Sequence, residues 1–211
     1  FHISTAKELS LFRNDIPLKD KKITAEVCIH HLWFTSDDYA LKGTNIKWNP
    51  AIKTKQDRDS LWAGLNSDLL DVIASDHAPH SMEEKANRYK DAPSGGPLVQ
   101  HLLPALLSAH HQGKITLEKI VEKACHNPAI LFDIKERGYI REGYFADLIF
   151  VNLEKEYLVE KSSLLYKCRW SPFEGTTFKG SVERTLLNGQ WAYKDGEVQP
   201  VSAAKALTFD R

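Results

Sequence analysis

The run Ser75-Asp76-His77-Ala78-Pro79-His80 closes a short apolar stretch, Leu69 to Ala74. Asp76 has the chemistry to ligate a metal or to take and return a proton. His77 and His80 can bind a metal through a ring nitrogen or hydrogen-bond an anionic substrate. A strand that empties polar residues into a loop at its carboxyl end is how α/β barrels build sites, although Pro79 and its polar neighbours also suit a plain surface turn. A second donor stands near the start of the chain, in Phe1-His2-Ile3-Ser4-Thr5. Leu9 and Phe12 follow at helical spacing, so the order reads strand, His, N-cap, helix. His2 and Asp76 would then sit at the carboxyl ends of two strands on one face, where donors from different strands make a metal site.

The elements that must position these donors follow from periodicity. A strand over 1–4, a helix over 6–14, a Pro17- and Lys-containing loop and an alternating strand over 23–29 give a β-α-β rhythm. An amphipathic helix over 53–65, with Leu61, Trp62 and Leu65 on one face, leads to the strand ending at Asp76. Residues 81–97 combine Lys, Glu and Asn with Pro93, Gly95, Gly96 and Pro97, a composition that predicts a mobile loop over the site, with Gly95 and Gly96 as lid or substrate-loop candidates. Helices are predicted over 98–111, 116–123 and 127–131. His101, His110 and His111 lie in or beside the first of these and read as solvated surface. His30 and His31, adjacent on a strand, would face opposite sides and so are not read as a ligand pair. Beyond Asp133 the texture changes to short β-like pieces, with Asn188-Gly189 as a hairpin turn between Thr185-Leu186-Leu187 and Gln190-Trp191.

Composition narrows the class. The 211 residues are 42% hydrophobic and carry 28 basic against 28 acidic groups, enough for a core and without net charge to draw the chain to nucleic acid or a membrane surface. Cys28, Cys125 and Cys168 are odd in number and widely spaced, which argues against a disulfide scaffold or zinc ribbon and for reduced thiols in the cytoplasm. No stretch approaches the roughly 18 apolar residues of a membrane span, and the start lacks a secretory pattern. A chain opening on Phe inside a strand reads as an internal piece of a longer protein.

Taken in order, the His2-Ile3-Ser4-Thr5 segment, Glu26-Val27-Cys28-Ile29-His30-His31-Leu32, Asn49-Pro50 and Asp76-His77-Ala78-Pro79-His80 resemble the second half of a dihydroorotase of the amidohydrolase superfamily. The tail agrees: Gly138 to Ile149, containing Gly143 and Ala146-Asp147-Leu148, resembles the run that opens the small β domain of these enzymes, and Ser171-Pro172-Phe173-Glu174-Gly175 extends the likeness. The resemblance implies an α/β fold: residues 1–133 as the last three strands and following helices of a TIM-like (β/α)8 barrel, and residues 134–211 as part of a small β-sandwich domain.

It also implies a reaction, the zinc-dependent interconversion of dihydroorotate and N-carbamoyl-L-aspartate in pyrimidine biosynthesis. By the same resemblance His2 and Asp76 are metal ligands, Asp76 is the general base, and Asn49 and His80 hydrogen-bond the substrate's ring and carboxylate; His77, next to the base in sequence, is read from that position as orienting it. The family's remaining ligands, a His-x-His, a carboxylated Lys or an Asp, and a further His, together with a substrate-binding Arg, belong to the missing N-terminal half. The 211 residues alone are therefore expected to be inactive. That half and a second copy of the chain are the candidate protein partners. Two departures stand out: Cys28-Ile29 replaces the family's Thr-Pro, and Pro93 to Gln100 is closer to the Gly-Gly-Pro of dihydropyrimidinases. Allantoinase or hydantoinase chemistry is thus the neighbouring alternative, and a non-catalytic homologue is the alternative of another class.

Overall fold

A computed structural model describes residues 2–202 and 204–210, so Phe1 of the expected first strand lies outside the described residues. Strand β1 (Glu26–Cys28) pairs in parallel with β2 (Val72–Ala74), with Glu26 opposite Val72 and Cys28 opposite Ala74. His2 bridges Glu26 in the same parallel sense, and Ile3 N–H donates to Glu26 O at 2.9 Å. Three segments therefore run side by side in one direction, which requires a crossover between each and the next. β1 is shorter than the predicted 23–29. The Ala25 N–H is taken by the Asp71 carboxylate at 2.8 Å instead of a strand neighbour, and at Ile29 the chain turns into helix.

The helices are α1 (Ile29–Trp33), α2 (Tyr39–Lys42), α3 (Lys55–Asn66), α4 (Met82–Lys85), α5 (Leu102–His111), α6 (Leu117–Val121) and α7 (Asn127–Leu131). α3 starts where the side chains dictate: Thr54 caps the Asp57 N–H, the Asp57 carboxylate returns to Thr54, and Leu61, Trp62 and Leu65 face the core. The predicted helix over 6–14 is a 3₁₀ turn over Ala6–Leu11, closed by a capping box between Thr5 and Glu8. A π-helical turn, Glu122–His126, joins α6 to α7.

The second sheet is antiparallel, β3 (Leu148–Leu158), β4 (Thr177–Leu187), β5 (Gln190–Lys194) and β6 (Glu197–Val198) in that order. Asn188 and Gly189, at φ +47° and +80°, make the two-residue turn between β4 and β5 that their residue types favour. Gly180 of β4 sits against α5 so closely that a Cβ there would lie 2.7 Å from that of Leu107. One hydrophobic cluster consequently runs from Ile3, Val27 and Leu32 through Leu61 and Leu106 to Val159, Phe173 and Phe178.

Residues 81–97 depart from their polar composition. Lys85 is fully buried, and its ammonium donates to Gly95 O at 2.8 Å, Pro93 O at 3.0 Å and Lys47 O at 3.4 Å, between the Trp48 and Trp170 rings. Gly95 (φ +113°) and Gly96 are buried; a Cβ on Gly95 would meet Ala78 at 2.7 Å, and one on Gly96 would meet Trp48 at 3.0 Å and Trp170 at 3.1 Å. Within the segment expected to be a mobile lid, Lys85, Gly95 and Gly96 are thus packed inward, and the inward-turned carbonyls satisfy the buried cation, while Ala86 to Asp91 stay exposed.

Candidate functional site

The three parallel segments put their carboxyl ends together. His2 Nε2 lies 3.5 Å from Asp76 Oδ1, and both side chains are about a quarter exposed. The other ring nitrogen of His2, Nδ1, is 2.7 Å from Glu26 Oε1 and 3.0 Å from Cys28 Sγ. A carboxylate at that distance takes the Nδ1–H, which leaves Nε2 as a lone pair directed at another acceptor, the Asp76 carboxylate. Two acceptors 3.5 Å apart call for a cation or a proton between them. Ligands of one tetrahedral zinc ion lie roughly 3.4 Å apart for bonds of about 2.1 Å, so the pair fits a shared metal. Asp76 itself holds φ +48°, a left-handed backbone conformation that Asp adopts more readily than most residues and that it shares here with Asp68, Asp133 and Asp195.

Glu26 is the residue the sequence reading passed over. Its signal was present, an acidic residue on an otherwise apolar strand, but its partnership with His2 depends on the bridge register between the two segments. Burial pushes the Cys28 thiol up, aided by the nearby Asp76 and Glu26 charges.

The other predicted residues lie apart from this pair. Asn49 is exposed, joined to Pro50 by a cis peptide, and its side chain makes no hydrogen bond among the described residues. His80 donates Nε2–H to Ser94 O at 3.1 Å and places Nδ1 3.6 Å from Glu84 Oε2; its own carbonyl accepts from Trp170 Nε1 at 2.7 Å. It borders an open cleft of about 790 Å³, also lined by His77, Gln100, Tyr166 and Lys167. Among the described residues no hydrogen bond joins His77 to Asp76. Its Nδ1 accepts from Leu98 N–H at 3.1 Å and Val99 N–H at 3.3 Å, which fixes the ring to the 96–99 segment, and burial lowers its pKa.

Two expectations about histidines are corrected. His30 and His31 lie on the first turn of α1, not on a strand, and both are buried, with ring centroids 4.2 Å apart. His101 is fully buried rather than solvated: Ser171 Oγ and Tyr166 Oη lie 3.0 and 3.2 Å from Nδ1, and Tyr157 Oη 3.4 Å from Nε2. His110 and His111 are half-buried and engage Ile115 O and Leu153 O.

Comparison with known proteins places this geometry in a family. Residues 14–192 match the amidohydrolase family model. The dihydroorotase of Clostridioides difficile is 39% identical over 173 residues, 81% of this chain and 40% of that protein. The dihydroorotase of Pyrococcus furiosus is 36% identical over 197 residues, 93% of this chain and 45% of that protein. Among solved structures, the L-hydantoinase (dihydropyrimidinase) of Arthrobacter aurescens superposes with a TM-score of 0.84 at 28% identity, covering 94% of this chain and 45% of that one. The chain thus spans less than half the length of these relatives, and its parallel strands and helices are the C-terminal part of their TIM-barrel fold. Among the described residues no helix is long and apolar enough to cross a membrane. With a family match over most of its length and two dihydroorotases above one-third identity, this chain belongs to the amidohydrolase family.

Proposed function

We propose that the chain is the C-terminal part of a zinc-dependent dihydroorotase, which interconverts (S)-dihydroorotate and N-carbamoyl-L-aspartate by hydrolysis and closure of a cyclic amide. In this reading residues 1–133 complete a (β/α)8 barrel whose other strands supply the remaining ligands, and residues 134–211 contribute to a small β domain. The observation that carries it is the convergence of His2 Nε2 and Asp76 Oδ1 at 3.5 Å, with Glu26 holding the far side of the imidazole.

His2 and Asp76 would hold the ion. When bound, zinc supplies an attacking water of lowered pKa and polarises the scissile carbonyl. Glu26 keeps the Nδ1–H of His2, so that Nε2 stays a donor. The Asp76 carboxylate takes the proton of the attacking water and returns it to the leaving ring nitrogen. Asn49, with its amide free, hydrogen-bonds the substrate ring. His80 meets the substrate carboxylate once its Nε2–H leaves Ser94 O.

The test is turnover of dihydroorotate, hydantoin and allantoin, side by side, by the full-length zinc-loaded protein. Preference for dihydroorotate, with turnover lowered about 10²- to 10⁴-fold in Asp76→Asn, supports the assignment. Preference for another ring keeps the metal chemistry and moves the substrate to the neighbouring alternative, towards which the likeness to L-hydantoinase and the Gly95-Gly96-Pro97 run lean. Absence of turnover with metal bound would leave the non-catalytic reading.

A further inference from the structure

Behind the His2–Asp76 pair lies a group of side chains that the proposed reaction does not use. Cys28, His30 and His31 each bring a ligand atom within 4.8 Å of the other two, and their exposures are 0%, 0% and 2%. Both ring nitrogens of His30, Nδ1 of His31 and Nε1 of the Trp48 indole stacked on His30 at 4.4 Å are buried without a hydrogen-bond partner. Buried polar atoms are almost always paired, and leaving several of them unpaired in one place is costly. These atoms are sealed by the chain's own core, so neither bulk water nor the rest of the protein reaches them while that core stays closed.

The chemistry of the group is specific. His31 donates its Nε2–H to Pro50 O at 3.0 Å, which fixes the tautomer and leaves Nδ1 as a bare lone pair. His30 is held flat against Trp48, with an interplanar angle of 13°. Cys28 Sγ is not needed as the acceptor for His2, since Glu26 lies closer to the same nitrogen. A thiol with two imidazoles is a donor set that suits zinc and resembles the ligand sets of its protein sites.

We propose that Cys28, His30 and His31 form a closed thiolate–imidazole site for a zinc-class divalent cation. Loading replaces the thiol proton, which leaves to solvent, by a metal–sulfur bond, while each imidazole gives a lone pair and no other proton moves. The ligand atoms, all within 4.8 Å of one another, have to reach at most the roughly 3.6 Å of a tetrahedral sulfur–nitrogen pair. The site does not depend on the roles given to His2 and Asp76.

The experiment uses full-length protein loaded with Co(II), read by absorption and by metal content. A thiolate-to-cobalt charge-transfer band in the near ultraviolet is expected in the wild type and in Asp76→Asn. In Cys28→Ser the band should disappear and the metal content fall by one ion per chain. Absence of the band in the cobalt-loaded wild type overturns the proposal, and so does a band that survives Cys28→Ser and therefore arises from another cysteine of the full-length protein. X-ray absorption at the cobalt edge on the wild type needs no variant that might misfold: a sulfur scatterer with imidazole is expected, and a purely nitrogen and oxygen shell overturns the site.

Discussion

Strand β2 has an aspartate beyond each end, and the two are used in opposite ways. Asp71, at the amino end, is buried: one oxygen accepts from Lys21 Nζ at 2.6 Å, the other from Ala25 N–H at 2.8 Å, and its backbone carbonyl accepts from Asn127 at 2.7 Å. Nearby, Lys123 is buried against Asp68 and Leu70 O, and Lys119 joins the same carboxylate. Asp76, at the carboxyl end, is partly exposed, sits in a left-handed backbone conformation and faces another acceptor, His2 Nε2. Charges at the amino end are closed by lysines whose ammonium groups can do nothing else. At the carboxyl end the partners are imidazole and carboxylate, a pair that a cation or a proton between them would satisfy. In a barrel this is the division between the face that holds the fold and the face that does chemistry.

The largest expected effects come from exchanging one aspartate for the other as the target. Asp71→Ala leaves the Lys21 ammonium, only 5% exposed, without its counter-charge and with only the Asp68 carbonyl at 2.9 Å to accept from it, and should cost about 3–5 kcal/mol of stability. Asp76→Asn should leave the chemical-denaturation midpoint nearly unchanged and lower turnover of the full-length protein by a factor of about 10² to 10⁴, the usual contribution of a positioned base. Denaturation and turnover measured on both variants decide the matter. Equal stability losses would erase the contrast between the two ends.

Acid should separate the ends as well. Burial pushes His101 down to about 4 from 6.5, so the folded state holds it neutral while the unfolded chain binds a proton below pH 6.5. The sign follows: stability is full above 6.5 and is lost as pH falls towards 4, by roughly 2 kcal/mol between pH 7 and 5 for this one group. Burial pushes His31 down to about 4 too, which adds loss of the same sign. At the amino end, burial opposes ionisation of Asp68, yet hydrogen bonds from Lys119 and Lys123 hold its carboxyl below the usual 3.8. That contribution is present above 3.8 and is lost only below it. Urea midpoints at pH 7 and 5 should therefore fall in the wild type and fall less in His101→Gln; parallel slopes would show that His101 is not the responsible group.

What was legible in the sequence was what local chemistry decides. The Leu61, Trp62 and Leu65 spacing marks α3, Asn188-Gly189 marks a turn, and the apolar run before Asp76 marks a strand whose end carries donors. What was not legible depends on segments far apart in the chain. His101 looks like a surface residue beside an amphipathic helix until Tyr157, Tyr166 and Ser171 arrive from more than fifty residues away to hydrogen-bond it. Lys85 sits in a stretch too polar to pack on its own, and it is buried because Lys47, Pro93 and Gly95 turn their carbonyls towards it. The pairing of Glu26 with His2 is a matter of register, which no single segment states.

That pairing gives an effect confined to metal binding and the finest test of the contrast. Glu26→Leu removes the carboxylate that takes the Nδ1–H of His2, and the ring then has only Cys28 Sγ, 3.0 Å away, to accept from it. Loss of such an outer partner typically weakens metal binding 10- to 100-fold, or about 1.4–2.7 kcal/mol. The strand should survive, because the Glu26 side chain is 29% exposed and the ladder to Val72 uses backbone groups alone. Zinc affinity of the full-length protein, measured by chelator competition, should therefore drop while the unfolding midpoint holds. Glu26→Gln, whose amide oxygen still accepts from Nδ1, should recover most of the loss. If Glu26→Leu binds zinc as tightly as the wild type, the sulfur of Cys28 orients the imidazole, and the open end of the strands is organised by a thiol instead of a carboxylate.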